Sequence, residues 1–329
     1  PSEANRRLVA VALERGVAVF DALHPEVAPR RISLRPQGST DETSVAKAVF
    51  SDDGHWLFVR ATGLDDVVVI ELGTEVGVPV SASVNFVSGG RGLTDIAAPP
   101  GGLKDAVLAV FAASEEAFIL DARGIVDNAR RIGLPDALSK AAVLQGTRVL
   151  FYDERLRTVA AWDVNDGRSG AAALDGTFAS PLVLPDLEKA IFPHASVDSS
   201  AGAGPALSVV TVEDATNRLR AKIQSIQLAR PVNTWTTDAN AQRVFFAGSP
   251  GDAVVTLDLQ TLQLAEVSLD APPAELHFLP EGDWVAAEHA GNVLGDVTFV
   301  PAGSTDRSAA IRYSDFAYTE DLNRSEEQR

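Results

Sequence analysis

VAKAVFSDDGHWLFVRATGLDDVVVIELGTEVGVPVSASV, residues 45–84, reads as four short strands joined by tight turns. KAVFS (47–51) is the first strand, a; Asp52-Asp53-Gly54 turns the chain, and HWLFVRA (55–61) is strand b. GLDD (63–66) makes the next turn, VVVIEL (67–72) is strand c, and VPVSASV (78–84) is strand d. Asp and Gly reach positive φ at low cost, which hairpin turns between neighbouring antiparallel strands demand. Strands b and c are apolar on both sides rather than cleanly alternating. A strand of that kind has to be covered on both faces, so this small sheet requires neighbours above and below it.

The same chain supplies the neighbours. The b strands begin LVAVAL at Leu8, WLFVRA at Trp56, VLAVFA at Val107, VLFYDE at Val149, AIFPHA at Ala190, VFFAGS at Val244 and WVAAEH at Trp284. The c strands that follow are VAVFDA, VVVIEL, AFILDA, VAAWDV, LSVVTV, VVTLDL and GDVTFV. The spacing of 40 to 54 residues is the signature of a β-propeller, in which each repeat is one small sheet. The expected fold is therefore all-β: a seven-bladed β-propeller of four-stranded antiparallel blades. Residues 135–174 and 231–269 carry the four-strand pattern well, whereas the repeat near 179–230 holds an insertion, HASVDSSAGAGPA (194–206), read as a flexible loop.

The ends of the chain complement each other. The first repeat opens at strand b, and the last continues past SAAIRY into DFAYTEDL. Residues 315–322 are expected to provide strand a of the first blade, closing the ring and removing exposed sheet edges. That makes 8–322 a single propeller domain between polar tails at 1–7 and 323–329.

FSDDGHWLFVRATGLDDVVVIELGT resembles the repeat of bacterial YVTN-type seven-bladed propellers, with a DG turn before an aromatic-rich strand and an apolar strand ending in an acid; TDANAQRVFFAGSPGDAVVTLDLQTLQL resembles it nearly as well. WD40 repeats are similar in architecture, but the chain has a single Trp-Asp pair, Trp162-Asp163, with no upstream Gly-His partner. The resemblance implies the fold. It leaves both binding and catalysis open, since some bacterial propellers of this repeat type are lactonases.

Composition narrows the choice. With 28 Lys plus Arg against 45 Asp plus Glu, the formal charge is −17. Nucleic acid and anionic membrane surfaces demand clustered cations, so neither is an expected partner, and a charge-steered partner would be basic or a cation. No apolar run approaches the roughly 20 residues of a membrane-spanning helix. The chain has no Cys, which excludes disulfides and thiolate chemistry, and no Met; it opens on Pro1. The expectation drawn from that opening is a processed or trimmed N-terminus, and an extracytoplasmic location in the periplasm or at the cell surface.

The polar residues sort into regular and irregular ones. Strand c ends in an acid at Asp21, Glu71, Asp121, Asp163 and Asp258. A carboxylate recurring once per repeat at a strand end is expected to accept backbone N–H groups of the following turn, not to form a cation-binding ring. His24, His55, His194, His277 and His289 form no HxH or HExxH motif, so the sequence assigns no metal site and supports no bound cation. No GxSxG elbow occurs, and GGRG (89–92) and AGAG (201–204) lack the following helix of a phosphate cradle.

Propeller geometry brings the start of each strand a and each b–c loop to one face around the channel mouth. There the sequence collects Arg91 with Thr94 and Asp95, Lys140 with Ser139, Trp235 with Asn233, then Glu275 and His277. Asp95 and Lys140 are expected to pair across adjacent blades, and Trp235 reads equally as a stacking surface for a partner or as core packing between blades. The expected function is a non-catalytic binding or scaffold propeller presenting this face to a protein or polymer, with no cofactor. The alternative is a lactonase-like or other hydrolase at the channel mouth.

Overall fold

The computed structural model describes residues 7–35, 43–51, 53–73, 75, 80–123, 130–199, 202–238, 240–289 and 295–314. The expected ring-closing strand at 315–322 lies outside them.

Seven sheets follow one another along the chain. The first holds β1 (Leu8–Leu13), β2 (Gly16–Asp21) and β3 (Arg30–Ser33); the second β4 (Val45–Phe50), β5 (Trp56–Ala61), β6 (Val67–Leu72) and β7 (Ala82–Val87). The third comprises β8 (Leu93–Ala97), β9 (Ala106–Phe111), β10 (Glu116–Asp121) and β11 (Arg130–Gly133), and the fourth β12 (Lys140–Val143), β13 (Arg148–Tyr152), β14 (Thr158–Asp163) and β15 (Ser169–Ala173). The fifth is built from β16 (Leu182–Leu184), β17 (Lys189–Ser199), β18 (Gly202–Ala215) and β19 (Arg218–Gln227). The sixth has β20 (Val232–Thr237), β21 (Arg243–Gly248), β22 (Ala253–Asp258) and β23 (Leu264–Ser268); the seventh β24 (Pro273–Leu279), β25 (Trp284–His289), β26 (Asp296–Pro301) and β27 (Ile311–Tyr313). Among the described residues the first sheet has three strands and each other sheet four, hydrogen-bonded in chain order as a meander.

The chain divides into two compact units. One comprises Pro1–Leu174, Val183–Ala190 and Val210–Ile223; the other Asp175–Leu182, Ile191–Val209 and Gln224–Arg329. The first unit explains why strands b and c are apolar on both sides. In β5, Phe58 packs into a cluster with Val107, Ala109 and Phe111 of the third sheet, while Leu57 and Val59 pack with Val17 and Val19 of the first. In β9, Val107 and Phe111 face the second sheet, and Leu108 and Val110 join Phe151 and Trp162 of the fourth. Alternate side chains of one strand thus fill two different cores, which is why a period of two is hidden in a continuous apolar run. In the second unit Phe245 and Ala247 meet Leu276, Val285 and Ala287, and the Phe245 and Phe278 rings stack 5.9 Å apart.

Each a–b turn has a left-handed residue just ahead of strand b: Gly54, Asp105, Gly146, Glu188, Ala241 and Asp283 have φ between 51° and 71°. At Gly54 (φ 71°) glycine meets this requirement at no steric cost; the other types carry a small strain that the flanking hairpin registers hold in place.

Two sequence expectations are revised. Strand d of the second sheet runs Ala82–Val87, further along than VPVSASV suggested. The described residues of the insertion 194–206 are strand rather than loop: β17 continues to Ser199 and β18 starts at Gly202, so they lengthen a hairpin. Small residues such as Ala and Ser fit an extended strand as readily as a linker when a partner strand takes up their main-chain hydrogen bonds.

Candidate functional site

The acids that end strand c serve their turns. Asp121 Oδ1 accepts from Arg123 N at 2.7 Å, Asp163 Oδ1 from Asn165 N at 3.0 Å, and Asp21 Oδ1 from Leu23 N at 3.1 Å. Asp258 Oδ1 accepts from the backbone of Thr261 at 2.7 Å and of Gln260 at 2.9 Å; these donors, Thr261 foremost, hold its carboxyl below the usual aspartate range. Glu71 is the exception. Its longer side chain reaches across the sheet to His55 Nε2 at 3.2 Å and Ser83 Oγ at 3.2 Å.

Two histidines are structural in the same way. His194 and His289 stand on the b strands β17 and β25, 1% and 7% exposed. His194 Nδ1 lies 3.0 Å from the Thr177 carbonyl and Nε2 2.8 Å from Ser208 Oγ; His289 repeats this with the Pro272 carbonyl at 3.2 Å and Thr298 Oγ1 at 2.8 Å. A carbonyl only accepts, so Nδ1 donates to it, and the hydroxyl partners Nε2, leaving both ring nitrogens satisfied in each histidine. Arg148 and Arg243 begin their b strands and reach an acid in the a–b turn of the following sheet: Arg148 to Glu188 at 2.5 Å, Arg243 to Asp283 at 2.8 Å.

With the repeating polar residues assigned, the irregular ones stand out. In the first unit Asp95, on β8, is 3% exposed. Its Oδ1 accepts from Lys47 Nζ at 2.8 Å and from Ile96 N at 3.0 Å, and its Oδ2 from Ala141 N at 3.0 Å. One carboxylate therefore ties the a strands of three successive sheets, β4, β8 and β12. The expected Asp95–Lys140 pair does not form: β12 reaches Asp95 through the main-chain N–H of Ala141, a donor already fixed by the strand, which costs no further side-chain entropy. Lys140 is half-buried, and its ammonium has no partner among the described residues. Tyr152, opposite Lys140 in the ladder, has its phenol pushed up to about 12, by burial first and by the Asp95 and Glu154 carboxylates next. Arg91 is exposed; Ser114 Oγ holds its backbone N–H at 3.1 Å, and its guanidinium has no partner among the described residues.

In the second unit Glu275 and His277 project from β24 on either side of the buried Leu276, so strand alternation puts both on one face. Glu288 of β25 is directly opposite Glu275 in the ladder. His277 Nε2 is 3.5 Å from Glu275 Oε2 and 3.4 Å from Glu288 Oε1. The three side chains offer ligand atoms that all lie within 4.8 Å of one another, and they are the residues able to hold a metal ion among those described. Trp235, half-buried, pairs with Phe246 across β20 and β21, and β20 runs alongside β24. The structure thus brings Glu275 and His277 together and adds Glu288, which sequence reading missed. Its signal was register alone, since only the β24–β25 pairing sets residue 288 against 275.

No protein-family model matches the chain, and no curated protein does. Solved structures do. Dihydro-heme d1 dehydrogenase NirN in complex with DHE aligns with a TM-score of 0.56 at 15% identity, covering 94% of this chain and 64% of NirN, so the chain spans less than two thirds of that protein's length. Sqt1 of Saccharomyces cerevisiae aligns with a TM-score of 0.56 at 12% identity, covering 95% of this chain and 83% of Sqt1. A chain of the mitotic checkpoint complex aligns at 0.50 and 14% identity, covering 87% and 82%. At such identities the likeness concerns the fold alone. The chain is a seven-bladed β-propeller.

Proposed function

We propose that this propeller is a non-catalytic binding module that docks a protein or polymer carrying basic groups. The observation that carries the reading is the second unit's a-strand surface. Glu275 and His277 are exposed there and Trp235 is partly so, while the buried Asp238 and His289 of the same unit are occupied by structural hydrogen bonds. Exposed carboxylates on β24 and a partly exposed aromatic side chain on the neighbouring strand β20 are the residue types of a binding anchor for a cationic partner, and a net charge of −17 would steer one towards it. The fold itself serves both uses: one similar chain belongs to a checkpoint assembly, the other is a dehydrogenase. The YVTN-type assignment rests on the repeat resemblance; the extracytoplasmic location is proposed alongside it, and fractionation with an antibody tests the location.

The hydrolase reading retains one supporting observation, the approach of His277 to two carboxylates. Immobilised protein, exposed to envelope and cytoplasmic extracts, distinguishes the two. Binding predicts a partner that Trp235→Ala and Glu275→Gln release and that His24→Ala retains. Turnover of a lactone or ester panel, with no partner captured, overturns it.

A further inference from the structure

We infer that Glu275, His277 and Glu288 form a three-ligand site for a divalent transition-metal ion, zinc in the first instance. The separations point to it. An N–H···O hydrogen bond spans 2.7–3.2 Å, whereas His277 Nε2 stands 3.5 Å and 3.4 Å from its two carboxylate oxygens. Zinc binds histidine nitrogen at about 2.0–2.1 Å and carboxylate oxygen at about 2.0–2.2 Å, so two ligand atoms on a tetrahedron around it lie about 3.3–3.5 Å apart. These two separations match the edges of a coordination tetrahedron and are long for direct hydrogen bonds, and all three ligand atoms lie within 4.8 Å of one another.

The scaffold favours the same conclusion. Two ligands at i and i+2 on β24, and a third directly across the ladder on β25, are held by sheet register rather than by loops. Leu276, buried between the two β24 ligands, anchors the strand in the core shared by the sixth and seventh sheets. Two carboxylates offset the charge of a divalent ion. The imidazole selects zinc, copper or nickel over calcium and magnesium, which take oxygen ligands. The fourth position is open to solvent, because all three side chains are partly or largely exposed.

The site goes beyond the binding reading and does not rest on it, since zinc binding and partner capture can each be lost with the other intact. Chelator-treated full chain titrated with zinc chloride in a calorimeter is expected to show saturable binding of one ion per chain. His277→Ala should weaken it by more than about 100-fold, because even outer-shell partners of a metal are worth 10–100-fold. Glu288→Gln should weaken it by about 10-fold or more, and His24→Ala should leave it unchanged. Cobalt(II) in place of zinc should give the intense visible bands of four-coordinate geometry, absent in His277→Ala. Circular dichroism confirms that the variants are folded; these substitutions are on an exposed face, so folding should persist. An absence of saturable binding, an unchanged affinity in folded His277→Ala, or an equal loss in His24→Ala overturns the inference.

Discussion

Replacing Asp95 with Ala removes the acceptor that holds three a strands together, and its cost can be worked out from the partners. Asp95 and Ala141 are 3% and 8% exposed, so the Ala141 N–H is left without its acceptor where water has little access. An unsatisfied buried donor costs about 1–3 kcal/mol, and a hydrogen bond to a charged group contributes about 1.5–3 kcal/mol. Lys47 behaves differently: its side chain is 41% exposed, so its ammonium returns to water, and the pair itself contributes only about 0–1 kcal/mol. The expected loss for Asp95→Ala is therefore roughly 2–4 kcal/mol, against less than about 1 kcal/mol for Lys47→Ala. Asn at 95 should not rescue fully, because one amide oxygen cannot serve both sides and the NH₂ group would face a donor. Urea unfolding followed by circular dichroism, with midpoints compared at unchanged slope, measures each variant, and the double mutant measures the coupling. The reasoning fails if Asp95→Ala stays within about 0.5 kcal/mol of the parent, a typical neutral surface change. It fails equally if Lys47→Ala costs as much as Asp95→Ala.

His289→Ala should destabilise by about 2 kcal/mol and Thr298→Val by about 1 kcal/mol, since each strands a buried hydrogen-bonding group; thermal unfolding of the two variants checks the order. Tyr152 holds its proton in the folded chain up to about 12, against 10.0 for a free phenol. Between those values the unfolded chain has lost a proton that the folded chain keeps, so stability falls as pH rises through this window. The loss is on the order of 1–2 kcal/mol after solvent screening, and Tyr152→Phe should flatten that part of the stability–pH curve. Asp258 has a lowered folded pKa, so its contribution is complete above the ordinary aspartate value and fades as pH falls below it towards the folded pKa. Asp258→Ala should cost about 1 kcal/mol at neutral pH and progressively less in acid, which denaturant titrations at several pH values would show.

The sequence alone determined the architecture, because a propeller is a repeated local object. Apolar pairs at a steady spacing, Asp- and Gly-bearing turns, and an acid closing strand c are all properties of a few neighbouring residues, and Asp121, Asp163 and Asp258 hold their turns as that pattern implies. The acid at Glu71 is the informative departure, since one added methylene lets the carboxylate cross the sheet instead of folding back onto the turn. Strand ends were less legible. Gly- and Ser-rich composition suits a loop and a strand alike, so only the pairing partner decided that 194–206 lengthens a hairpin. The candidate site was legible in part. Glu275 and His277 were selected by alternation on one strand, but Glu288 joins them through the β24–β25 register, and Lys47 replaces Lys140 beside Asp95 through packing of successive sheets. Which residues share a strand is written in local sequence; which atoms meet across strands and sheets depends on register and on the placement of whole sheets, and those are fixed only when the cores between them close.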